Sequence, residues 1–276
     1  MIRSCGSSGT EMVVRITSAA FSGVATGAGV FLRANKRAAD AVEARLPHAK
    51  TNLHDEYAHA VAQYMNSLPR GAVVVDVGGG KTCAFARYRN PTSGVRLVAV
   101  DISAEELAYN VDVDEKLVAD VTERLPFGDH EVDMLVSSSV IEHLRNSEAF
   151  VRESARVLKP RGLFVHVLPN KFAPFSVANQ LIPQRIAQRL LRVLVPGSEG
   201  VLGFPAFYDR TYPAAFRQLV ARCGLNVREL RVAYYQAYYF DFFIPLYIIN
   251  VAYELVVSSL RLENLAANML IVAQKP

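Results

Sequence analysis

Short apolar runs alternate with amphipathic stretches along the middle of the chain. Stretches with apolar residues at helical spacing predict helices over 54–68, 103–110 and 147–158. Continuous apolar runs, rich in Val, Leu and Ala, predict strands buried on both faces: 72–76, 97–101, 117–120, 132–137 and 162–168. Strands that alternate with helices indicate parallel βαβ units.

The regular alternation weakens beyond Pro169. A helix over 212–223 and strands over 225–232 and 269–274 are predicted there. We therefore expect a Rossmann-like α/β fold: a doubly wound, seven-stranded sheet, mostly parallel with an antiparallel last strand, plus helical insertions. One domain is expected over 51–276. It follows an N-terminal extension over 1–50, helical in part over 31–46, and carries insertions on the substrate side of the sheet at about 171–207 and 234–264.

Composition and charge narrow the class of protein. Of 276 residues, 51% are hydrophobic and 20% are charged, which allows a sizeable core and excludes a disordered chain. Basic residues exceed acidic ones by only four, so no nucleic-acid partner is expected. The three cysteines lie far apart without metal-ligand spacing, which indicates a reducing, cytoplasmic compartment. Residues 12–32 are small and apolar, and a secretory signal is the alternative to a mobile extension.

A glycine-rich turn, Asp76–Gly80, follows the first predicted strand. A phosphate-binding P-loop would need glycine five positions before Gly80, where Val75 stands. A dinucleotide GxGxxG motif would need its third glycine at Cys83. The pattern that remains is Asp-x-Gly-x-Gly, in which the acid before the turn suits a ligand with a positive charge.

Two more acids follow the next strands, Asp101 after the second and Asp120 after the third. In an open parallel sheet, ligands bind at the carboxyl ends of the strands. A single Asp at such a place is more often a helix cap or turn former, and this alternative stays most open for Asp120.

These residues resemble the ordered motifs of the class I S-adenosylmethionine-dependent methyltransferases. The turn 75–80 resembles motif I, with Thr82 in place of the third glycine of the fuller pattern. The resemblance covers about 55–170 well and continues through Asp101, Asp120, 125–129, 141–144 and 158–162.

The resemblance implies S-adenosyl-L-methionine as the cofactor and gives roles to residues at matching positions. Asp76, Gly78, Gly79 and Gly80 would face the methionine part of the cofactor. Asp101 would accept hydrogen bonds from both ribose hydroxyls. Three positions would contact the adenine: Ile102, Asp120 and Val121. Two would lie beneath the sulfonium: Ser137 and Ser138.

Methyl transfer needs an acceptor lone pair aligned with the methyl carbon, and a hydroxyl acceptor also needs a base. His143, beside Glu142 after the fourth strand, is the candidate base, and a structural role at a helix start is the alternative. Tyr208, Asp209 and Arg210 are candidate substrate contacts. No carboxylate cluster suggests a catalytic metal.

Two apolar segments give an indication of the class of methyl acceptor. On a helix over 184–195, three arginines would share one face, and 242–260 is long enough to suggest a membrane span but contains Pro245, Asn250 and Glu254. Both segments are either helical insertions packed on the domain or interfacial elements on an anionic membrane. The tyrosine-rich C-terminal part resembles bacterial methyltransferases associated with cell-surface glycan or glycolipid synthesis.

The sequence therefore predicts an S-adenosylmethionine-dependent methyltransferase acting on a hydroxyl of a small or lipid-linked acceptor, such as a sugar of a glycolipid. Three alternatives remain. The same fold could methylate a free lipid, quinone or small metabolite, or bind the cofactor without catalysis. A nicotinamide dehydrogenase is the third, and Cys83 disfavours it.

Overall fold

The computed structural model describes residues 27–46, 52–182 and 205–276, which form two compact units. The sheet unit contains Leu53–Lys171, Phe207–Val232 and Asn268–Pro276. The helical unit contains the described residues within Met1–Asn52, Phe172–Ala206 and Ala233–Ala267. The helix predicted over 184–195 and the apolar stretch before residue 27 lie outside the described residues.

The sheet has seven strands in the order β3-β2-β1-β4-β5-β7-β6. The strands β1 to β5 run parallel, and β7 runs antiparallel to β5. This confirms the predicted seven-stranded, mostly parallel sheet with an antiparallel last strand. The strand bounds are β1 Val73–Val77, β2 Arg96–Asp101, β3 Glu115–Val118, β4 Val132–Ser138, β5 Leu158–Pro169, β6 Asn226–Ala233 and β7 Asn268–Gln274.

The strand register places the ends of β1, β2 and β4 level with one another at one edge of the sheet. Val77 at the end of β1 lies level with Val100 of β2 on one side and with Ser137 of β4 on the other. The strand that carries the glycine turn is therefore central, and its neighbours end beside that turn.

Two strands differ from the prediction by more than one residue at an end. Strand β3 covers 115–118 rather than 117–120, so Asp120 stands in the following turn. Strand β5 begins at Leu158, within the predicted helix end, because Leu158 pairs with Val132 before an irregularity restores the register at Met134.

The helices of the sheet unit are α2 Leu53–Met65, α3 Ala104–Tyr109, α4 Ser147–Val157 and α6 Pro213–Arg222. Their starts follow from local sequence. The Ser103 side chain caps α3 by accepting from the Glu106 N–H, and Asn146 caps α4 by accepting from the Ala149 N–H. Proline stands in the first turn of α6, where its missing N–H costs nothing.

The helical unit contains α1 Gly27–Glu43, α5 Pro174–Leu181 and α7 Ile244–Ser259, with a 3₁₀ turn over Ala237–Phe240. Its core joins Ala39 of α1 with Ala237, Tyr247 and Val251. The Lys36 ammonium and the Asp241 carboxylate are 2.9 Å apart within this unit. In the described part of the chain, no helix has the length and apolarity needed to cross a membrane.

Candidate functional site

The glycine turn after β1 leaves no room for a side chain at Gly78 or Gly79. Gly78 has a φ of +70°, and a Cβ there would lie 2.3 Å from Val140 Cγ2. A Cβ on Gly79 would lie 2.7 Å from the Ala99 Cβ. The N–H groups of both glycines face the Val100 carbonyl oxygen, at 2.7 and 3.3 Å. The turn therefore needs glycine for its backbone conformation and for its close contacts.

Asp101 connects this turn to the end of β2. Its Oδ2 accepts a hydrogen bond of 3.0 Å from the Gly80 N–H, and its Oδ1 accepts one of 2.9 Å from the Ser103 N–H. A carboxylate has about four acceptor positions, so both oxygens retain capacity for a ligand. The predicted ribose acid thus also shapes the glycine turn.

Asn110, which sequence reasoning did not single out, supports the turn from behind. It is fully buried, and its Nδ2 donates a hydrogen bond of 2.9 Å to the Gly79 carbonyl oxygen. Its position as the C-cap residue of α3 carried no functional signal, because the contact with Gly79 spans 31 residues.

Asp76 is a buried carboxyl group in an apolar strand. Burial raises its pKa to about 7, the nearby Asp101 charge adds to this, and a hydrogen bond from the Cys83 thiol opposes it. Burial raises the pKa of the Tyr57 hydroxyl, and the nearby Asp76 charge adds to this. A cation bound here would stabilise the ionised carboxylate. Neither Tyr57 nor Cys83 was predicted as a site residue.

The residues predicted for the adenine differ in their surroundings. Ile102 is 52% exposed at the end of β2, and Val121 is half-buried. Asp120 closes its own turn, since its Oδ1 accepts from the Thr122 N–H at 2.9 Å and from the Thr122 hydroxyl at 2.6 Å. This is the turn-forming alternative, and the amine-binding role of Asp120 stays a prediction.

The two serines at the end of β4 face different partners. Ser137 is fully buried, and its hydroxyl lies 2.6 Å from Nδ1 of His166, whose pKa burial lowers to about 3. The Ser137 side chain therefore has a partner in the core, and its place beneath the sulfonium stays a prediction. Ser138 is exposed, and its hydroxyl lies 3.2 Å from Nδ1 of His54.

His54, at the start of α2, was not predicted. Burial lowers its pKa, so its imidazole is neutral near pH 7. Local sequence gave no signal for it, because it lies 84 residues from Ser138.

Glu142 and His143 lie in a 3₁₀ turn, Ile141–His143, directly after β4. Burial raises the pKa of Glu142 to about 8, so this carboxyl is mostly protonated at pH 7. Its Oε1 is 4.0 Å from His143 Nε2, which is too long for a hydrogen bond. The His143 side chain is about one-third exposed and therefore accessible.

Of the predicted substrate residues 208–210, Asp209 and Arg210 contact helix α4, whereas the Tyr208 N–H donates a hydrogen bond of 3.0 Å to the Glu142 carbonyl oxygen. Tyr208 is buried. The Asp209 carboxylate accepts a hydrogen bond of 2.9 Å from the Ser147 N–H, and its backbone oxygen accepts one of 2.7 Å from the Ser147 hydroxyl. Arg210 donates to Glu148 at 2.7 Å. These contacts give Asp209 and Arg210 structural partners at the start of α4, and the substrate role of the three residues stays a prediction.

No group of three or more His, Cys, Asp or Glu side chains within 27–46, 52–182 and 205–276 is arranged to hold a metal ion.

Comparison with known proteins shows that the chain is similar to methyltransferases. Residues 75–166 match the profile of a methyltransferase domain. Dimethylglycine N-methyltransferase of Parasynechococcus marenigrum is 30% identical over 125 residues, which are 42% of this chain and 44% of that protein. Demethylmenaquinone methyltransferase of Mycobacterium tuberculosis is 28% identical over 178 residues, 62% of this chain and 73% of that protein. The first curated relatives are matched over less than half of their own length.

Solved structures share the fold at low identity. A methyltransferase in complex with the Haloferax volcanii activator Trm112 has a TM-score of 0.53 and 19% identity, over 89% of this chain and 96% of that one. Geranyl diphosphate methyltransferase in complex with GPP and sinefungin has a TM-score of 0.53 and 13% identity, over 81% of this chain and 79% of that one.

Profile, relatives and fold agree with the predicted family. Residues 75–166 match a methyltransferase domain, and the relatives and the fold agree with the predicted resemblance to the class I S-adenosylmethionine-dependent methyltransferases. The residues fit this cofactor: a turn that only glycine can form, a buried acid beside it and a second acid with free acceptor capacity.

Proposed function

We propose that this chain transfers a methyl group from S-adenosylmethionine to a hydroxyl group of a small or lipid-linked acceptor. The observation that carries the proposal is the joined arrangement of Asp76, the glycine turn and Asp101 at the carboxyl edge of the sheet. A catalytically silent cofactor-binding module would share this arrangement, so turnover must be measured directly.

The cofactor, when bound, supplies a methyl group that its sulfonium already activates. The chain's own residues then have mainly to hold the cofactor and to orient the acceptor toward the methyl group. Asp76 and the glycines would hold the charged methionine part, Asp101 the ribose, and Ile102 with Val121 the adenine. Alignment of the acceptor alone can supply about 7–11 kcal/mol of the barrier.

A hydroxyl acceptor must lose its proton during transfer. We assign this step to His143, whose half-buried imidazole follows β4. Glu142 would place little negative charge beside that imidazole at pH 7, because burial raises its pKa to about 8. His54 is the second candidate base, since its lowered pKa keeps it neutral beside Ser138.

The acceptor class has two candidates. The apolar residues exposed on the helical unit support a lipid-linked acceptor, such as a sugar hydroxyl on a glycolipid. The match to demethylmenaquinone methyltransferase, over 62% of this chain, favours a quinone or another small metabolite as the second candidate. The small excess of basic residues keeps nucleic acid outside the proposal.

The proposal includes a domain organisation and a location. A methyltransferase domain over 51–276 would carry substrate-side insertions at about 171–207 and 234–264, after an N-terminal extension over 1–50. The helical unit gathers chain from the extension and from both insertions, which supports separating these three regions from the sheet. The location would be cytoplasmic, with peripheral contact to an anionic membrane.

The decisive experiment has two parts. Calorimetry should show binding of S-adenosylmethionine and none of NAD; the reverse result would replace this proposal with the dehydrogenase. Methyl-labelled cofactor should then label lipid-linked sugars in an acceptor screen that also contains quinones and small metabolites. Labelling of quinones alone would favour the second candidate. Cofactor binding without transfer to any acceptor class would support the silent module.

His143→Ala and His54→Ala separate the two candidate bases. With the acceptor that the screen identifies, His143→Ala should lower kcat about 10²–10⁴-fold and leave cofactor affinity unchanged. A fall in kcat that occurs only in His54→Ala would instead identify His54 as the base.

A further inference from the structure

The segment 110–112, which directly follows α3, holds the glycine turn at two points. Nδ2 of the fully buried Asn110 donates a hydrogen bond of 2.9 Å to the Gly79 carbonyl oxygen. The Asp112 carboxylate accepts one of 3.0 Å, through Oδ2, from the Cys83 N–H. Oδ1 of Asn110 accepts from the Asp112 N–H at 3.1 Å, so the two residues support each other. The turn is therefore held from the connection between β2 and β3.

Cys83 connects Asp112 to the buried acid of the site. Its N–H is bonded to Asp112, and its thiol donates a hydrogen bond to the Asp76 carboxylate. Cys83 is only 4% exposed, and in a close-packed interior its thiol moves with its backbone. A change at Asp112 would therefore reach Asp76 through this one residue.

The turn contains the end of a P-loop motif, but most of the groups that would bind phosphate have other partners. Gly80, Lys81 and Thr82 match the Gly-Lys-Ser/Thr end of that motif, in which backbone N–H groups and the lysine bind phosphates. The Lys81 ammonium instead lies 3.2 Å from the Glu106 carboxylate. Of the six N–H groups from Gly78 to Cys83, four are bonded to acceptors within the protein: those of Gly78, Gly79, Gly80 and Cys83.

The chain between β1 and β2, which the structure describes throughout, forms one helical element, a 3₁₀ turn over Ala86–Tyr88. Phosphate-binding turns lead directly into an α-helix, whose first N–H groups and partial positive charge attract the anion. This part of the chain provides no such helix start after the glycine turn. Asp112 has the opposite effect, because it places a negative charge on the Cys83 N–H, the donor that directly follows the Gly-Lys-Thr match.

We propose that Asp112 is a positioning residue that makes the glycine turn select a cationic cofactor over a phosphate ligand. Its carboxylate takes the Cys83 N–H, a donor that a phosphate could use, and through Cys83 it keeps the thiol on Asp76. The inference rests on the proposed function, because it takes this turn as the cofactor site. It goes beyond that function by assigning the selectivity to a residue outside the turn.

Calorimetry of the full chain with two adenosine ligands tests the proposal. ADP has the adenosine of S-adenosylmethionine but carries pyrophosphate in place of the methionine part. We expect the wild type to bind ADP at least about 100-fold more weakly than S-adenosylmethionine. Asp112→Ala should lower this ratio of affinities at least about tenfold, because a hydrogen bond to a charged group is worth that factor or more.

The ratio separates selectivity from general damage to the turn, which would weaken both ligands equally. Asp112→Asn keeps an acceptor oxygen for the Cys83 N–H but loses the charge, so its ratio should lie between those of Asp112→Ala and the wild type. Circular dichroism verifies the fold, and Asp112→Asn is the variant to measure if Asp112→Ala does not fold. Glu105→Ala removes an exposed acid of α3 in the same unit and should leave the ratio unchanged.

Three results would overturn the proposal: wild-type binding of ADP as tight as that of S-adenosylmethionine, an unchanged ratio in the Asp112 variants, or an equal fall of the ratio in Glu105→Ala. An unchanged ratio with both affinities lowered would give Asp112 a purely structural role. Absence of S-adenosylmethionine binding by the wild type would contradict the proposed function itself, so the two failures are distinguishable.

Discussion

The backbone N–H of Gly80 donates a hydrogen bond of 3.0 Å to Oδ2 of Asp101. This bond connects the turn after β1 to the end of β2, so the proposed ribose acid and the glycine turn form one structural unit. A change at Asp101 is therefore expected to disturb both the ligand contacts and the shape of the turn.

Asp101→Ala should weaken S-adenosylmethionine binding about 100-fold or more. It removes the proposed ribose contacts and the acceptor of the Gly80 N–H, and each hydrogen bond to a charged group contributes about 1.5–3 kcal/mol. Asp101→Asn keeps one acceptor oxygen and should fall between Ala and wild type. Calorimetry checks this, with Glu105→Gln, an exposed acid on α3, as the control. Unchanged affinity in Asp101→Ala would refute the ribose role.

Gly78→Ala should destabilise the fold more than Gly71→Ala. Both glycines have a positive φ, +70° and +79°, so both variants carry the backbone cost of about 1 kcal/mol or more. At Gly71 an added Cβ meets nothing within 4 Å, whereas at Gly78 it would lie 2.3 Å from Val140 Cγ2.

The free energies of unfolding of both variants are measured in urea. The difference between them is the cost of this clash, which should be about 1–3 kcal/mol. Val140→Ala in the Gly78→Ala background should restore part of it. Equal free energies of unfolding for the two single variants would show that the turn can move to accept a side chain.

Asp76→Asn should weaken cofactor binding and raise the stability of the fold at pH 8. The pKa of Asp76 is about 7 in the folded chain and near 3.8 when unfolded, so the folded state binds more protons between these values. Stability from this group is present below about pH 4 and is lost as pH rises through 7. The Asn variant lacks this loss and should be the more stable protein at pH 8, by at most about 4 kcal/mol.

The same carboxyl should make cofactor affinity pH-dependent. Wild-type affinity should rise between pH 6 and 7.5 as Asp76 ionises, and Asp76→Asn should bind weakly without that rise. Thermal unfolding and calorimetry at each pH provide the two readouts. An affinity that does not change with pH in the wild type would exclude Asp76 as the partner of the positive charge.

Asp209→Ala should reduce stability without changing cofactor affinity. The Asp209 carboxylate accepts from the Ser147 N–H at the start of α4, and loss of such a cap costs about 1 kcal/mol. Arg210→Ala removes only an exposed ion pair with Glu148 and should have little effect. Denaturant unfolding measures both. A large fall in kcat/KM with unchanged stability would instead support the predicted substrate role of Asp209 and Arg210.

The sequence by itself determined the sheet and the position of the site. Apolar runs that must be buried on both faces identify the parallel strands, and a glycine turn or an acid at a strand end must stand at the carboxyl edge. These are local properties, so Asp76, Gly78 and Asp101 could be found without a structure. The same reasoning overextended β3 to Asp120, because pairing with the neighbouring strand decides where an edge strand ends.

Only the tertiary structure decided what each side chain contacts. Ser137 faces His166 in the core, Asp209 caps a helix that begins 62 residues earlier, and Asn110 supports Gly79 across 31 residues. Helix α7 could be recognised as apolar, but not which of its faces is exposed, because the hydrogen bond from the Gln236 N–H to Glu254 and the packing of Tyr247 against Ala39 set its rotation. Such contacts depend on residues far apart in the chain, and local periodicity carries no information about them.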